Sequence, residues 1–541
     1  MRGISGSVGQ RRRELALAVL FCGLVFAPFL GKAYHNDEPF FLAAARHILS
    51  DPLHPLDFVF TWFGRPLPAA QINTTPPLLL YLLALAWKLT GGEALPMRLA
   101  FLPLDLAAAA GLYLLAARFL KRPLLPTLVV IASPAYLINM GLLMPEKPAV
   151  ALGIWGLYAL VRGVEDARPA WYWASAGLLG LAMLAKYNAA VFLLPALGYA
   201  LHRGMRPRLL AAHAALALCG PALLVVFYWF CNPALIERAW SVTADSAVSW
   251  WSSWPHKLRS FLAFTGGCGV VTVFWPYRAF ATKGWGWLAP AGAALLFLPF
   301  LDLRPLVAPV DRLTGVVFAC GAAAALAGLF GAEARARAGW ALWAPWVLGV
   351  ALLQVGFYWS VMSRCILLLI PPLVFAMAEA LESRTPPVGA AFPAASLAAV
   401  LAVSLCLAAV DFRYAAAQKS FAEKVAKEYI AAGRRVWFSG YMGLQHYLER
   451  SGGLGLDASR GGWDLARPGD AVVVLGINTA LQRPPRPRLC NMRSYALGHP
   501  IPLRLMSGWS GEAGFYSNVW GFLPYSLSRE PLEVFSVVEL R

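Results

Sequence analysis

The most constraining feature of the chain is its long series of apolar segments, many of them close to the length that crosses a lipid bilayer. A transmembrane helix needs about 20 predominantly apolar residues. Of the 541 residues, 59% are hydrophobic and only 14% are charged. A soluble domain is typically about 45–50% apolar and about 25% charged. The sequence therefore predicts a polytopic membrane protein and excludes an ordinary cytosolic enzyme.

The basic residues indicate how these segments are oriented. The net charge is +18, but the lysines and arginines stand in small groups between apolar runs. This pattern follows the positive-inside rule and argues against nucleic acid as a partner. Arg11-Arg12-Arg13 precede the first apolar run, Leu15 to Gly31, so the N-terminus is expected inside the cell. A cleaved signal peptide is the alternative, although no clean small-x-small site stands beside Gly31.

Two segments near the N-terminus, 39–49 and 76–90, are predicted to be interfacial helices on the outer surface. The second is shorter than the about 20 residues that a span needs, and it begins with Pro76-Pro77. If it crossed the membrane, Arg118, Lys121 and Arg122 would lie outside, against the charge rule.

The remaining segments form thirteen spans that place the N-terminus inside and the C-terminus outside. They are 15–31, 95–118, 124–142, 147–162, 170–185, 187–202, 208–230, 257–279, 285–301, 313–331, 339–360, 364–382 and 389–410. The predicted fold class is an all-α polytopic membrane protein with about 13 transmembrane helices, two outer interfacial helices and a small C-terminal α/β domain.

The composition changes after Val410. We predict a helix over 420–432, a strand over 435–438, a second helix over 441–450 and a strand over 471–475. This alternation is typical of a small α/β unit. The predicted domains are therefore a transmembrane domain, 1–410, and a periplasmic domain, 411–541.

Isolated charges at predicted outer boundaries are the candidates for chemistry. Asp37 and Glu38 follow the first span, Glu146 stands between two spans, Lys186 interrupts an apolar stretch, and Arg364 stands at a further outer boundary. Each also has a structural interpretation. Asp37 suits the cap of the helix that begins at Pro39, Glu146 has Lys147 as a neighbouring partner, and Lys186 can snorkel to the interface.

Two carboxylates and two cations on one face suit a reaction on a lipid-linked phosphate. The cations would hold the phosphate, and a carboxylate would accept the proton of an attacking hydroxyl. The sequence has no P-loop, no Gly-rich turn between a strand and a helix, and no compact acid cluster for a metal. We therefore expect no cofactor, no bound metal and a donor that already carries a lipid phosphate.

Short motifs carry a resemblance to a known family. They are Asn36-Asp37-Glu38-Pro39, Thr75-Pro76-Pro77-Leu78, Arg98-Leu99 with Leu102-Pro103, Pro145-Glu146-Lys147-Pro148, Leu184-Ala185-Lys186 and Ser363-Arg364. Together they resemble the family 39 glycosyltransferases of the C-type membrane superfold. That family includes protein O-mannosyltransferases and bacterial lipid A aminoarabinose transferases.

The resemblance implies that Asp37 is the catalytic base or its closest partner, with Glu38 as a supporting carboxylate and Glu146 as a further carboxylate of the site. It also implies that Lys186 and Arg364 bind the donor phosphate. Thr75, predicted to contact substrate, stands where the family often has lysine, and Glu146 stands where it usually has aspartate. The implied location is the bacterial inner membrane, and no catalytic group is expected from the C-terminal domain.

The predicted function is transfer of a sugar, with inversion, from a polyprenyl-phosphate donor to a hydroxyl of lipid A, another glycan or a protein on the periplasmic side. The main alternative is a transporter or a flippase for lipid-linked sugars, and a third is an assembly component without transfer chemistry. Transporters tend to place ionisable groups at the bilayer midplane and to contain repeated halves. Here the charges are predicted at one boundary, and no halves repeat.

Overall fold

The structure is a computed structural model that describes residues 8–280, 288–303, 309–384, 389, 391–477, 489–509 and 511–540. Most of the described chain is helical. The first ten helices are α1 (Val8–Phe26), α2 (Glu38–Ile48), α3 (Ala69–Ile72), α4 (Leu78–Thr90), α5 (Ala94–Ala116), α6 (Leu124–Ala132), α7 (Pro134–Met140), α8 (Glu146–Glu165), α9 (Pro169–Ala185) and α10 (Leu193–His202). A hairpin of β1 (Val59–Trp62) and β2 (Arg65–Pro68) lies between α2 and α3.

The remaining helices extend to the C-terminal region. They are α11 (Pro207–Cys231), α12 (Pro233–Gly269), α13 (Trp275–Ala279), α14 (Leu288–Leu303), α15 (Pro309–Phe330), α16 (Ala332–Arg335), α17 (Trp340–Ala351), α18 (Ser363–Ile366), α19 (Ile370–Glu382), α20 (Ala391–Val425) and α21 (Gly443–Arg450). π-helical turns extend α17 to Phe357 and α20 to Ile430.

Five described helices are long and apolar enough to cross a membrane, judged by length and composition. They are α5, α11, α15, and α17 and α20 with their π-helical extensions. Helices occupy most of the other predicted spans, but several are broken. The predicted span 124–142 divides at Ser133, whose backbone is extended because Pro134 follows it. The start of the predicted span 285–301 lies outside the described residues, and the count of thirteen spans stays a prediction.

Helix α8 connects two groups of charges. Its 20 residues make it about 30 Å long, close to the thickness of a hydrocarbon core. Glu146 is its first residue and Glu165 its last. At the Glu165 end, Arg118 donates to Glu165 at 3.1 Å and to Asp166 at 2.6 Å. The positive-inside rule predicts that the loops of Arg118 and Asp166, which meet at the Glu165 end, lie in the cytoplasm. Glu146, at the other end of α8, lies about one membrane thickness away from these loops.

Helices α2 and α4 lie where the two interfacial helices are predicted. The 13 residues of α4 span only about 20 Å, which is too short to cross a hydrocarbon core of about 30 Å. The two helices pack on each other, and both bury apolar side chains, including Phe40, Phe41, Leu79 and Leu83.

A five-stranded mixed sheet forms the C-terminal region. Its strands are β3 (Val436–Ser439), β4 (Leu454–Gly455), β5 (Ala471–Leu475), β6 (Leu489–Leu497) and β7 (Glu533–Leu540), in the order β4-β3-β5-β7-β6. The pairs β4-β3 and β3-β5 are parallel, and β5-β7 and β7-β6 are antiparallel. The predicted strands over 435–438 and 471–475 and the predicted helix over 441–450 are confirmed.

The predicted helix over 420–432 is confirmed as far as Ile430, but it is the end of α20 and its π-helical extension, so it does not begin at residue 420. The 35 residues of α20 are about 50 Å long, which is well beyond the about 30 Å of a hydrocarbon core. The helix also crosses the predicted domain boundary at residue 410. It packs on α6, α7 and α21, and so connects the apolar helices with the C-terminal region.

The predicted orientation can be tested by cysteine labelling. In a variant without the eight native cysteines, a membrane-impermeant maleimide should label Ser420→Cys but not Arg206→Cys in intact spheroplasts. Both positions are exposed in the structure, so both should react after permeabilisation. Labelling of Arg206→Cys in intact spheroplasts would contradict the thirteen-span topology.

Candidate active site

Four of the charged residues identified in the sequence form one network. Arg364 donates from Nη1 to Asp37 Oδ2 at 2.7 Å, and its Nε lies 3.6 Å from Glu146 Oε1. Lys186 Nζ donates to the same oxygen of Glu146. These side chains are only 4–18% exposed. The structure therefore brings together two carboxylates and two cations that the sequence places far apart.

Each of the four residues lies at a helix end or in a short helical turn. Asp37 directly precedes α2 and follows Asn36, whose φ of +54° turns the chain. Glu146 begins α8, and Lys186 follows α9 with an extended backbone. Arg364 lies in the short helix α18, directly after the segment that follows α17. The four residues come from distant parts of the chain, and their side chains contact one another.

The capping interpretation of Asp37 is wrong in this structure. Asp37 occupies the N-cap position of α2, but within the described chain its side chain makes no capping hydrogen bond and pairs with Arg364 instead. Lys147 is not the partner of Glu146 either. Lys147 Nζ donates to Asp105 at 2.6 Å, which leaves Glu146 to the two other cations.

Glu38 lies next to Asp37 in sequence but has different partners. Its carboxylate pairs with Arg98 at 2.8 Å and accepts backbone N–H bonds from His35 at 3.0 Å and Leu143 at 2.9 Å. Burial alone would raise the pKa of Glu38, but the neighbouring Arg98 lowers this pKa below its usual value. Glu38 therefore stays ionised, and it joins the loop before Asp37 to the loop before Glu146.

Thr75 lies outside the ion network. Its backbone N–H donates to Asn73 Oδ1 at 2.8 Å, and its hydroxyl donates to the same oxygen. These bonds stabilise the turn before Pro76-Pro77 and helix α4. In the described structure Thr75 has no hydrogen bond to the four charged residues, and its role in substrate binding stays a prediction.

A second buried network, which the sequence does not predict, lies beside the first. Asp411 of α20 pairs with Lys32, lies 3.0 Å from His35 Nε2 and accepts the hydroxyl of Tyr516 at 2.6 Å. His35 is two residues before Asp37, so this Asp411 network holds the loop that carries the candidate base. The one sequence signal is that Lys32 and Asp411 each stand directly after a predicted span.

The C-terminal segment 515–518 also supports the loop before Arg364. Ser363 donates its backbone N–H to the carbonyl of Phe515 at 3.0 Å, and Asn518 donates its own to Val361 at 2.9 Å. The same segment carries the tyrosine of the Asp411 network. It therefore fixes the loops before both members of the central ion pair, although none of the four charges comes from the C-terminal region.

A small cavity lies against three of the four charged residues, Glu146, Lys186 and Arg364, and Asn188 and apolar side chains complete its lining. Its volume is about 10 Å³, which is about enough for one water molecule. This cavity is too small to hold a phosphate unless the side chains around it move. Among the described residues, no three His, Cys, Asp or Glu side chains are grouped so that they could hold a metal ion.

Comparison with known proteins supports the resemblance noted in the sequence. A family model described as dolichyl-phosphate-mannose-protein mannosyltransferase matches residues 74–229, which include Thr75, Glu146 and Lys186. The predicted resemblance to the family 39 glycosyltransferases is confirmed over this range. The search of curated proteins finds no match to this chain.

Two solved structures of ArnT from Cupriavidus metallidurans are similar to the chain. The structure bound to undecaprenyl phosphate is 14% identical, covers 87% of this chain and 93% of its own, and has a TM-score of 0.41. The apo structure is 16% identical, covers 85% and 92%, and has a TM-score of 0.40.

The Asp411 network provides a test of the site's architecture. Asp411→Asn should leave the buried Lys32 without its countercharge, and breaking a buried pair in this way costs about 3–5 kcal/mol. We expect a large fall in the apparent melting temperature in detergent. The double variant Lys32→Met/Asp411→Asn removes both charges and should recover much of this loss. Wild-type stability of Asp411→Asn alone would contradict the pairing.

Proposed function

We propose that the chain is a membrane glycosyltransferase that transfers a sugar from a polyprenyl-phosphate donor to a hydroxyl acceptor. The observation that carries this proposal is the pairing of Asp37 with Arg364 inside the network that also holds Lys186 and Glu146. It puts a candidate base in contact with Arg364, and Glu146 connects Arg364 to a second cation, Lys186, so that both cations can hold a phosphate. The description of the matched family model supports a lipid-phosphate sugar donor.

Donor binding begins the proposed reaction. The donor phosphate replaces carboxylate oxygens on Lys186 and Arg364, because both cations form strong charge-assisted bonds with phosphate. When Arg364 turns to the phosphate, Asp37 is free to accept a hydrogen bond from the acceptor hydroxyl. Entry of the donor thus converts a paired carboxylate into an available base.

A single displacement completes the transfer. The acceptor oxygen attacks the anomeric carbon while the bond from that carbon to the phosphate oxygen breaks. The acceptor proton passes to Asp37, and the polyprenyl phosphate leaves with the bonding electron pair. Lys186 and Arg364 stabilise the charge on the leaving group. One displacement at the anomeric carbon inverts its configuration.

We place this site on the periplasmic side of a bacterial inner membrane. The length of α8 supports this placement, because it separates Glu146 from the Arg118 loop by about one hydrocarbon thickness. The positive-inside rule assigns the Arg118 loop to the cytoplasm. The C-terminal sheet would share the periplasmic side, since its segment 515–518 contacts the loops of the site.

Substitution of Asp37 tests the proposed base. Asp37→Asn preserves the shape of the side chain but removes the proton acceptor, so the transfer rate should fall by about 10²- to 10⁴-fold. The amide oxygen of Asn can still accept a hydrogen bond from Arg364, and the side chain at this position is 18% exposed, so the protein should remain folded. The assay is transfer of radiolabelled sugar from a polyprenyl-phosphate donor to membrane acceptors by purified protein.

Asp51→Asn is the matched control, because Asp51 lies beyond the other end of α2 and its side chain is 39% exposed. Its rate should equal that of the wild type. A normally expressed Asp37→Asn protein that transfers sugar at the wild-type rate would refute the proposed mechanism.

Substitution of Lys186 tests the phosphate site. Lys186→Met removes a cation but keeps an apolar stem of similar length, so polyprenyl phosphate should bind roughly tenfold to a hundredfold more weakly. Lys88→Met, at an exposed position of α4, should bind as the wild type does. The measurement is equilibrium binding of radiolabelled polyprenyl phosphate in detergent. Unchanged affinity in Lys186→Met would remove this lysine from the donor site.

A further inference from the structure

The loop 358–362, between the π-helical end of α17 and the start of α18, is buried over its last three residues. Ser360 and Val361 are 0% exposed, and Met362 is 1% exposed. Buried backbone groups outside helices and sheets need other hydrogen-bond partners, above all near a membrane. The partners of this loop therefore bear on the position of Arg364, which follows Met362 after one residue.

Asn518, from the C-terminal region, satisfies both backbone groups of Val361. Its side-chain Oδ1 accepts the N–H of Val361 at 3.0 Å, and its own backbone N–H donates to the carbonyl of Val361 at 2.9 Å. The same Oδ1 accepts the hydroxyl of Ser360 at 2.8 Å. The side-chain amide can take the place of a second peptide group here because it offers a carbonyl oxygen as well as N–H donors.

The nitrogen of the same amide binds to α12. Asn518 Nδ2 donates to Oγ of Ser260 at 3.1 Å, and Ser260 is fully buried. The neighbouring Ser517 adds a hydroxyl–hydroxyl bond to Ser360 at 2.7 Å. Asn518 therefore joins three parts of the chain, namely α12, the loop 358–362 and the segment 515–518.

The contacts continue from Val361 to the guanidinium of Arg364. Nε of Arg364 lies 3.1 Å from the sulfur of Met362, the residue directly after Val361. Ser363, directly before Arg364, donates its backbone N–H to the carbonyl of Phe515 at 3.0 Å. A displacement of Val361 would therefore move the residues next to Arg364 and shift its guanidinium relative to the carboxylates that it contacts.

We propose that Asn518 is a positioning residue for Arg364, because it fixes the loop 358–362 where the guanidinium can meet the donor phosphate. This inference rests on the proposed function, in which Arg364 binds that phosphate. The side chain of Arg364 has to turn from Asp37 to the phosphate while its backbone stays in place. Asn518 provides this fixed backbone from a region that contributes none of the four charges.

Asn518→Leu tests this role, because leucine keeps the branching and the approximate size of the side chain but forms no hydrogen bonds. Radiolabelled polyprenyl phosphate should bind to the full chain in detergent about tenfold more weakly, since a misplacement of about 1 Å can cost up to about 10²-fold. In the transfer assay the KM for the donor should rise by a similar factor. Partial misfolding would instead lower kcat and leave the KM and the affinity of the folded protein unchanged.

A double-mutant cycle shows whether the effect passes through Arg364. Arg364→Met/Asn518→Leu should bind polyprenyl phosphate as Arg364→Met alone does, because no guanidinium is left to position. Lys186→Met/Asn518→Leu should bind it about tenfold more weakly than Lys186→Met, because Lys186 follows α9 on another segment and the effects of independent sites add.

Tyr525→Phe is the matched control. Tyr525 is buried, and its hydroxyl donates to the carbonyl of Gly267 in α12 at 3.2 Å. The substitution removes a hydrogen bond between the C-terminal region and α12 that does not involve the loop 358–362. Its affinity for polyprenyl phosphate should therefore equal that of the wild type.

Wild-type affinity in Asn518→Leu, or an equal further loss in the Arg364→Met background, would overturn the inference. If Asn518→Leu does not fold, Asn518→Ala is measured in its place, because its smaller side chain leaves room for a water molecule at the N–H of Val361. A wild-type protein that binds no polyprenyl phosphate would refute the proposed function itself. Binding that is equal in the wild type and the Asn518 variants refutes only the role of Asn518.

Discussion

The ion pair between Asp37 and Arg364 joins two residues that stand 327 positions apart in the chain. In a chain this apolar, a charge near the membrane is retained only where it is paired or reaches water. Arg364 also approaches Glu146, and Glu146 pairs with Lys186, so each charge depends on the next. These ion pairs hold the chain segments that carry the four residues next to one another, and they determine the geometry of the site.

The same contacts determine how a phosphate can bind to the two cations. Each cation is paired with a carboxylate, and the cavity beside Glu146, Lys186 and Arg364 holds about one water molecule. A phosphate must therefore compete with Glu146 and Asp37 for the same donors. A single oxygen of Glu146 faces both cations, because Oε1 accepts a bond from Lys186 and lies 3.6 Å from Arg364 Nε. In the proposed reaction, donor binding and release of the base are consequently one event.

The sequence is sufficient to select the four charges, because each stands at a predicted outer boundary between apolar segments, where charged residues are few. It is not sufficient to pair them. Lys147 follows Glu146, but successive side chains on a helix point about 100° apart, so Lys147 reaches Asp105 on another face. The sequence predicts that a soluble domain begins at Asp411, because an apolar run ends at the preceding residue. In the structure Asp411 lies inside α20, which continues to Val425. The antiparallel pairing of β6 with β7 depends on contacts between distant segments, which no local pattern specifies.

The C-terminal region contacts the loops of the site at two places. The segment 515–518 supports the loops before Asp37 and Arg364. Helix α21 contacts the loop before Asp37 as well, because the hydroxyl of Tyr447 accepts the backbone N–H of Tyr34 at 2.8 Å. Both belong to one sheet unit, since α21 directly follows β3 and the segment 515–518 precedes β7. The sheet unit therefore holds the loops in place, while the four charged residues themselves lie at the ends of helices or in the short helix α18.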